Sequence, residues 1–168
     1  LDGTLLNTIA DLGNACNHAL EQMGFSPHPL SAYNYMVGNG VRKLMERAEP
    51  DADSITIDRL LAEFRAYYDD HCTDLTRPYP GIPELLSTLV SHGVAVAVTS
   101  NKYQAAVTKI INHHFTEIPF VAALGEVSGR PKKPDPSIVF AALSEHPTPK
   151  RDVLYVGDSA VDMETARR

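Results

Sequence analysis

The polar groups best suited to chemistry in this 168-residue chain stand at the ends of apolar runs. Asp2-Gly3-Thr4 sets an acid, a turn residue and a hydroxyl side by side, which is the composition of a catalytic loop. Ser100 and Asn101 come directly after the β-branched run at 94–99, and Asp158 comes directly after a second run at 152–156. A strand ending at Leu1 would set Asp2 at the same edge. Three distant segments thus deliver carboxylates and hydroxyls to one rim, and the chemistry open to that rim is catalysis by oxygen-bearing side chains.

Such a rim needs a sheet behind it. The stretch "VAVAVTS" at 94–100 is continuous, apolar and β-branched, the pattern of a strand buried on both faces of a parallel sheet. "DVLYVG" at 152–157 reads as a second such strand, and "FVAAL" at 120–124 as a shorter one. Between them run helical spacings: Leu85, Leu86, Leu89 and Val90 after Pro83, then Ala106, Val107, Ile110 and Ile111, then a segment around 137–143. Helix and strand alternate, so the second half predicts a doubly wound α/β core with its site beyond the carboxyl ends of the strands. Nothing before Arg77 reads as a strand. Helical spacing there predicts helices over 9–23, 41–48 and 57–72, separated by the Pro-, Gly- and aromatic-rich stretch 26–40.

The bulk composition narrows the partners. A formal charge of −6 and a pI near 5.6 give no electrostatic reason to expect nucleic acid or an anionic membrane, although a local site for a small anion is compatible with them. Hydrophobic residues make up 43% and charged residues 21%, as in an ordinary globular protein with one core and a smaller satellite. No apolar run reaches the length of a membrane span, and no signal peptide is visible, so a cytoplasmic location is expected. Cys16 and Cys72 are too few and too far apart to predict a disulfide framework or a zinc site.

Four local patterns in order, "LDGT" at 1–4, "VTSNK" at 98–102, "KKPDP" at 132–136 and "GDSAVD" at 157–162, together with "RPYPG" at 77–81, resemble the haloacid dehalogenase superfamily. Within it the chain looks like the phosphoglycolate phosphatase-like members with a helical cap. The resemblance implies a Rossmann-like parallel-sheet core from residues 1–8 and 77–168, with an α-helical cap domain inserted at 9–76. Its first motif has the form Asp-x-Asp-Gly-Thr, and Leu1-Asp2-Gly3-Thr4 fits the last four positions. The nucleophilic Asp is then expected immediately before Leu1, and "METARR" stops inside a helix, so the sequence is read as part of a longer enzyme. Asn7-Thr8 stands where many relatives read Asp-Ser.

The resemblance implies a role for each residue. Asp2 would be the general acid and base for the leaving oxygen and the attacking water. Asp158 would bind Mg²⁺ with the backbone carbonyl of Asp2, and Asp162 would join through water or orient the groups around the ion. Ser100, in preference to the neighbouring Thr99, would hold the transferring phosphoryl group together with Gly3, Thr4 and Asn101. Lys133, with Lys132 as the alternative, would neutralise the charge of the transferring group. In the cap, the loop "VGNGVRK" at 37–43 is the specificity candidate. Gly38 and Gly40 would permit a close backbone approach, with Asn39 between them as a further specificity residue, and Arg42 or Lys43 would hold a carboxylate or second phosphate. The alternative for those two cations is a helix start with solvated basic residues.

The function expected is Mg²⁺-dependent hydrolysis of a small phosphorylated metabolite through an aspartyl-phosphate, by a monomer or homodimer. The alternatives are a β-phosphoglucomutase-like mutase and, if no Asp precedes Leu1, a catalytically silent phosphate-binding protein.

Overall fold

The computed structural model describes residues 1–168. The chain divides into two compact units, one formed by Leu1–Leu6 with Pro78–Arg168 and the other by Asn7–Arg77. It passes between them through two-residue strands, β1 (Leu6–Asn7) and β2 (Arg77–Pro78), which pair with each other. These strands are too short to show an alternation, and the sequence pattern contains no sign of them.

The unit Asn7–Arg77 is helical: α1 (Ile9–Gln22), a 3₁₀ turn (Leu30–Ala32), α2 (Tyr33–Met36), α3 (Val41–Ala48) and α4 (Ser54–His71). Its core is the stripe Leu12, Cys16, Ala19 and Leu20 of α1 packed on α4, whose Ile57, Leu60, Phe64 and Tyr68 are buried. Asp53 starts α4 by accepting the Thr56 amide at 2.8 Å, as an N-cap carboxylate does. The aromatic-rich stretch before α3 is tied down by Asn17, which bonds the His28 backbone at both amide ends and accepts the Tyr33 hydroxyl at 2.6 Å. Cys16 and Cys72 are both free and buried, and burial pushes the Cys16 thiol up to about 11, so it behaves as an apolar filler.

The other unit begins with a turn at Leu1–Leu6 and continues through α5 (Ile82–Ser91), β3 (Ala97–Tyr103), α6 (Gln104–His114), β4 (Ala122–Glu126), α7 (Ser137–Glu145) and α8 (Ala160–Arg167). Strands β3 and β4 are parallel neighbours joined by α6, and both α6 and α7 pack against them. Val98, Val107, Ile110, Ala122 and Ile138 form the apolar contact. This is the α/β arrangement that the alternating pattern predicts.

Two strand expectations are corrected. The strand expected over 94–99 starts at Ala97 and runs to Tyr103, so Ser100 and Asn101 lie within it and not after it, and Val94 is exposed. The segment 152–157 is not a ladder strand: it lies outside every sheet, and Leu154 is 87% and Val156 66% exposed. An apolar, β-branched run specifies a segment suited to a sheet, but a strand exists only where its backbone groups find a neighbour.

Asp11 of α1 carries a load that hydrophobic spacing does not reveal. It is buried, and its two oxygens accept the Leu75 amide at 2.9 and 3.0 Å and the Thr76 amide at 2.8 Å. Asp11→Ala would orphan those two donors and is expected to destabilise this unit by about 3 kcal/mol, read from urea unfolding followed by circular dichroism.

Candidate active site

The site is built on an irregularity in β3. Thr99 pairs with Leu124 and the next paired residue, Tyr103, with Glu126, so 99–103 on β3 covers the ladder length of 124–126 on β4. The residues between them bulge out of the ladder. Ser100, Asn101 and Lys102, which lie in that stretch, are all buried. Gln104 takes over bonds that the bulge interrupts, accepting the Gly125 amide at 2.7 Å and donating to the Ala123 carbonyl at 3.0 Å. Gly125 must lack a side chain, because a Cβ there would lie 2.6 Å from the Lys102 carbonyl oxygen.

Each bulge residue then reaches a different segment. Lys102 places its ammonium 3.1 Å from Asp2 Oδ1, with only 3% of its side chain exposed. Ser100 Oγ accepts the Lys102 amide at 3.1 Å. Asn101 binds the Lys133 backbone at both ends, donating to its carbonyl at 3.1 Å and accepting its amide at 2.8 Å. That clamp brings Lys133 Nζ to the Thr99 carbonyl at 3.2 Å and to Asp162 Oδ1 at 2.7 Å. Lys132, the alternative to Lys133, pairs instead with Glu126 at 3.0 Å.

The third edge comes from the loop before α8. Ser159 and Asp162 form a capping box, in which Asp162 Oδ2 accepts the Ser159 amide at 3.1 Å and its hydroxyl at 2.6 Å. Burial works against ionisation of Asp162, but the hydrogen bonds and charge of Lys133, with the bonds from Ser159, outweigh it and hold the carboxyl below its ordinary value. Asp158 Oδ1 accepts the Thr4 hydroxyl at 2.8 Å. Gly3 has φ of +73° and no Cβ for two reasons, since a side chain there would also come within 2.2 Å of Asp158 Oδ2.

Asp2, Gly3, Thr4, Ser100, Asn101, Lys133, Asp158 and Asp162 therefore form one connected cluster. Both ends of the Asn101 amide and both oxygens of Asp162 are taken by protein partners, so in this structure the two residues position Lys133. Gly38, Asn39, Arg42 and Lys43 belong to the helical unit, at the loop and first turn of α3. Gly38 and Gly40 both have positive φ. Arg42 is paired with Asp58 and Lys43 with Glu46, all within that unit.

Three contributors escaped the motif reading: Lys102, Gln104 and Tyr155, whose hydroxyl lies 3.3 Å from Thr99 Oγ1 and 3.4 Å from Asp162 Oδ1. The available signal for Lys102 was a lysine directly following the strand-end Ser-Asn pair. Its burial and its partner depend on the bulge.

The oxygen-only donors Asp2 and Asp158 suit a hard cation. No three His, Cys, Asp or Glu side chains surround a common metal position, so a cation here would rely on few carboxylates, as Mg²⁺ does. No helix is long and apolar enough to cross a membrane.

A parallel α/β core with acidic and lysine groups gathered at one strand end defines a hydrolase fold of known kind, and the comparisons specify it. The family model for haloacid dehalogenase-like hydrolases matches residues 1–168, and the chain belongs to that family. Among curated relatives, the phosphoglycolate phosphatase of Mesorhizobium japonicum is 32% identical over 171 residues, covering 99% of this chain and 75% of the relative. The phosphoglycolate phosphatase of Neisseria meningitidis is also 32% identical, with 99% and 73% covered. A solved structure from Lactobacillus delbrueckii subsp. bulgaricus superposes with a TM-score of 0.91 at 34% identity, covering 99% of this chain and 79% of that one.

The Asp162 environment sets a pH dependence. A carboxyl held below its ordinary value of 3.8 contributes stability that is complete above that value and is lost as pH falls through the lower folded value. Urea midpoints measured from about pH 5 down to about pH 2 should show this loss in the native protein, and Asp162→Asn should flatten that part of the curve.

Proposed function

We propose that the protein is a Mg²⁺-dependent phosphomonoester hydrolase acting on a small phosphorylated metabolite, with 2-phosphoglycolate as the first candidate. The observation that carries this reading is the convergence of Asp2, Asp158 and Lys133 at the carboxyl end of β3. The substrate class comes from relatives named phosphoglycolate phosphatase at about one-third identity.

In this reading the phosphoryl group passes to a carboxylate nucleophile and then to water, so that one difficult displacement becomes two easier ones. The nucleophile is the carboxylate of the family's first motif, whose last four positions Leu1-Asp2-Gly3-Thr4 fit. Asp2 delivers its carboxyl proton to the leaving alkoxide as the P–O bond breaks, and takes a proton from the water that attacks the aspartyl-phosphate. Ser100 and the turn amides bind phosphoryl oxygens, with Gly3 and Thr4 shaping the opposite wall. Lys133, held by Asn101 and Asp162, sets its positive charge against the transferring group. Asp158 and the carbonyl of Asp2 would hold Mg²⁺, and Asp162 would orient the surrounding groups instead of binding the ion. The bound ion supplies charge neutralisation at the phosphoryl oxygens.

Arg42 and Lys43 select the substrate. Their ion pairs lie at the surface, where solvent screens them, so a substrate anion can replace the protein carboxylate.

Two measurements test the reading. N-terminal sequencing of the native protein should find Asp before Leu1, and the same sample should release phosphate from 2-phosphoglycolate in a Mg²⁺-dependent way without any bisphosphorylated intermediate. No such Asp and no release would overturn it. Asp2→Asn should lower kcat by about 100-fold or more with the fold retained, and Asp158→Asn should shift the Mg²⁺ titration to higher concentration.

A further inference from the structure

The buried lysine beside Asp2 is an expensive feature that folding does not require. Removing an ammonium from water costs several kcal/mol unless a counter-charge and good geometry offset it, and an apolar residue of similar shape usually serves stability as well. Lys102 nevertheless has 3% of its side chain exposed, and its ammonium lies 3.1 Å from Asp2 Oδ1. The Asp2 side chain keeps 22% of its surface exposed, so one carboxylate is gripped from within the protein and still open to a ligand.

The grip is built rigidly. The Lys102 amide donates to Ser100 Oγ, its carbonyl lies where a Cβ on Gly125 would collide, and Gln104 ties the adjoining backbone to β4 on both sides of Gly125. Lys102 sits in the stretch of β3 where the register with β4 shifts. A surface ion pair needs none of this.

We infer that Lys102 is a positioning residue for Asp2, fixing Oδ1 so that Oδ2 carries the proton and is aimed at the leaving oxygen. The inference rests on the phosphatase reading of the site. It makes Lys102 matter most where proton delivery matters most. An alkyl phosphate leaves as a strongly basic alkoxide and needs that proton as the P–O bond breaks, whereas p-nitrophenolate leaves without help.

The test compares Lys102→Met, Lys102→Gln and Lys102→Arg in the full-length enzyme with Mg²⁺, using 2-phosphoglycolate or another alkyl phosphate turned over by the wild type, and p-nitrophenyl phosphate. Lys102→Met and Lys102→Gln are expected to keep the native melting transition and lose about 100-fold in kcat on the alkyl ester at nearly unchanged KM. The loss on p-nitrophenyl phosphate should be no more than a few-fold, and Lys102→Arg should recover part of the alkyl-ester rate. Adding Lys102→Met to Asp2→Asn should cost nothing further. Equal losses on both esters, or additive losses in the double variant, would assign Lys102 a structural role and overturn the inference while leaving the phosphatase reading in place. Wild-type protein that hydrolyses neither ester would overturn both.

Discussion

Two parallel strands of unequal length between paired residues are the constraint on which the site depends. Tyr103 must answer Glu126 although Thr99 already answers Leu124, and the surplus backbone of β3 has to leave the ladder. Ser100, Asn101 and Lys102 lie in that surplus stretch, and all three are buried. Each then holds a different piece of chain: Ser100 the backbone of the bulge itself, Asn101 the loop that bears Lys133, and Lys102 the loop that bears Asp2. The irregular stretch thus ties the loops of Asp2 and Lys133 to β3, and it is itself held by the Gln104 amide and by the absence of a side chain at Gly125.

The same arrangement explains how a buried and a half-buried lysine are tolerated. Lys102 and Lys133 each face a carboxylate, and Lys133 has the Thr99 carbonyl in addition. Neither pair is an obvious gain in stability, since desolvation offsets most of the Coulomb attraction. What the pairs provide is fixed position. Side chains anchored at their charged ends lose little further freedom when a substrate arrives, which is the form in which positioning lowers a barrier. Asp162 shows the layering: its carboxyl closes the capping box of α8 with one oxygen and holds Lys133 with the other, so helix start and site geometry share one group.

The helical unit is organised on a different principle. Its stability comes from apolar stripes on α1 and α4, supplemented by buried polar clamps at Asp11 and Asn17 that hold irregular backbone. Its cationic residues Arg42 and Lys43 lie at the surface in pairs that solvent screens. Positive φ at Gly38 and Gly40 gives the loop before α3 a shape that most other residues would resist.

Much of this organisation was legible in the residues. Helical spacing located α1, α3, α4, α6 and α7 because each buries a stripe, a property that three-and-four-residue periodicity records directly, and it located α5 although only Leu86 of that helix is buried. Alternation of helix and strand specified the α/β class, and acids and hydroxyls at the ends of apolar runs marked the segments that carry the site. The run 152–157 shows the limit of that reasoning, since composition expresses suitability for a strand whereas the ladder requires a neighbour. The pairings inside the site lie beyond the same limit. Whether Asn101 faces a ligand or Lys133, whether Asp162 faces an ion or Lys133, and whether Lys102 is exposed or locked to Asp2 depend on a backbone irregularity set by contacts between residues far apart in sequence. Residue types and local periodicity are properties of the chain, and they determined the class, the helices and the segments of the site; register and partner choice are properties of packing, and only the tertiary structure decided them.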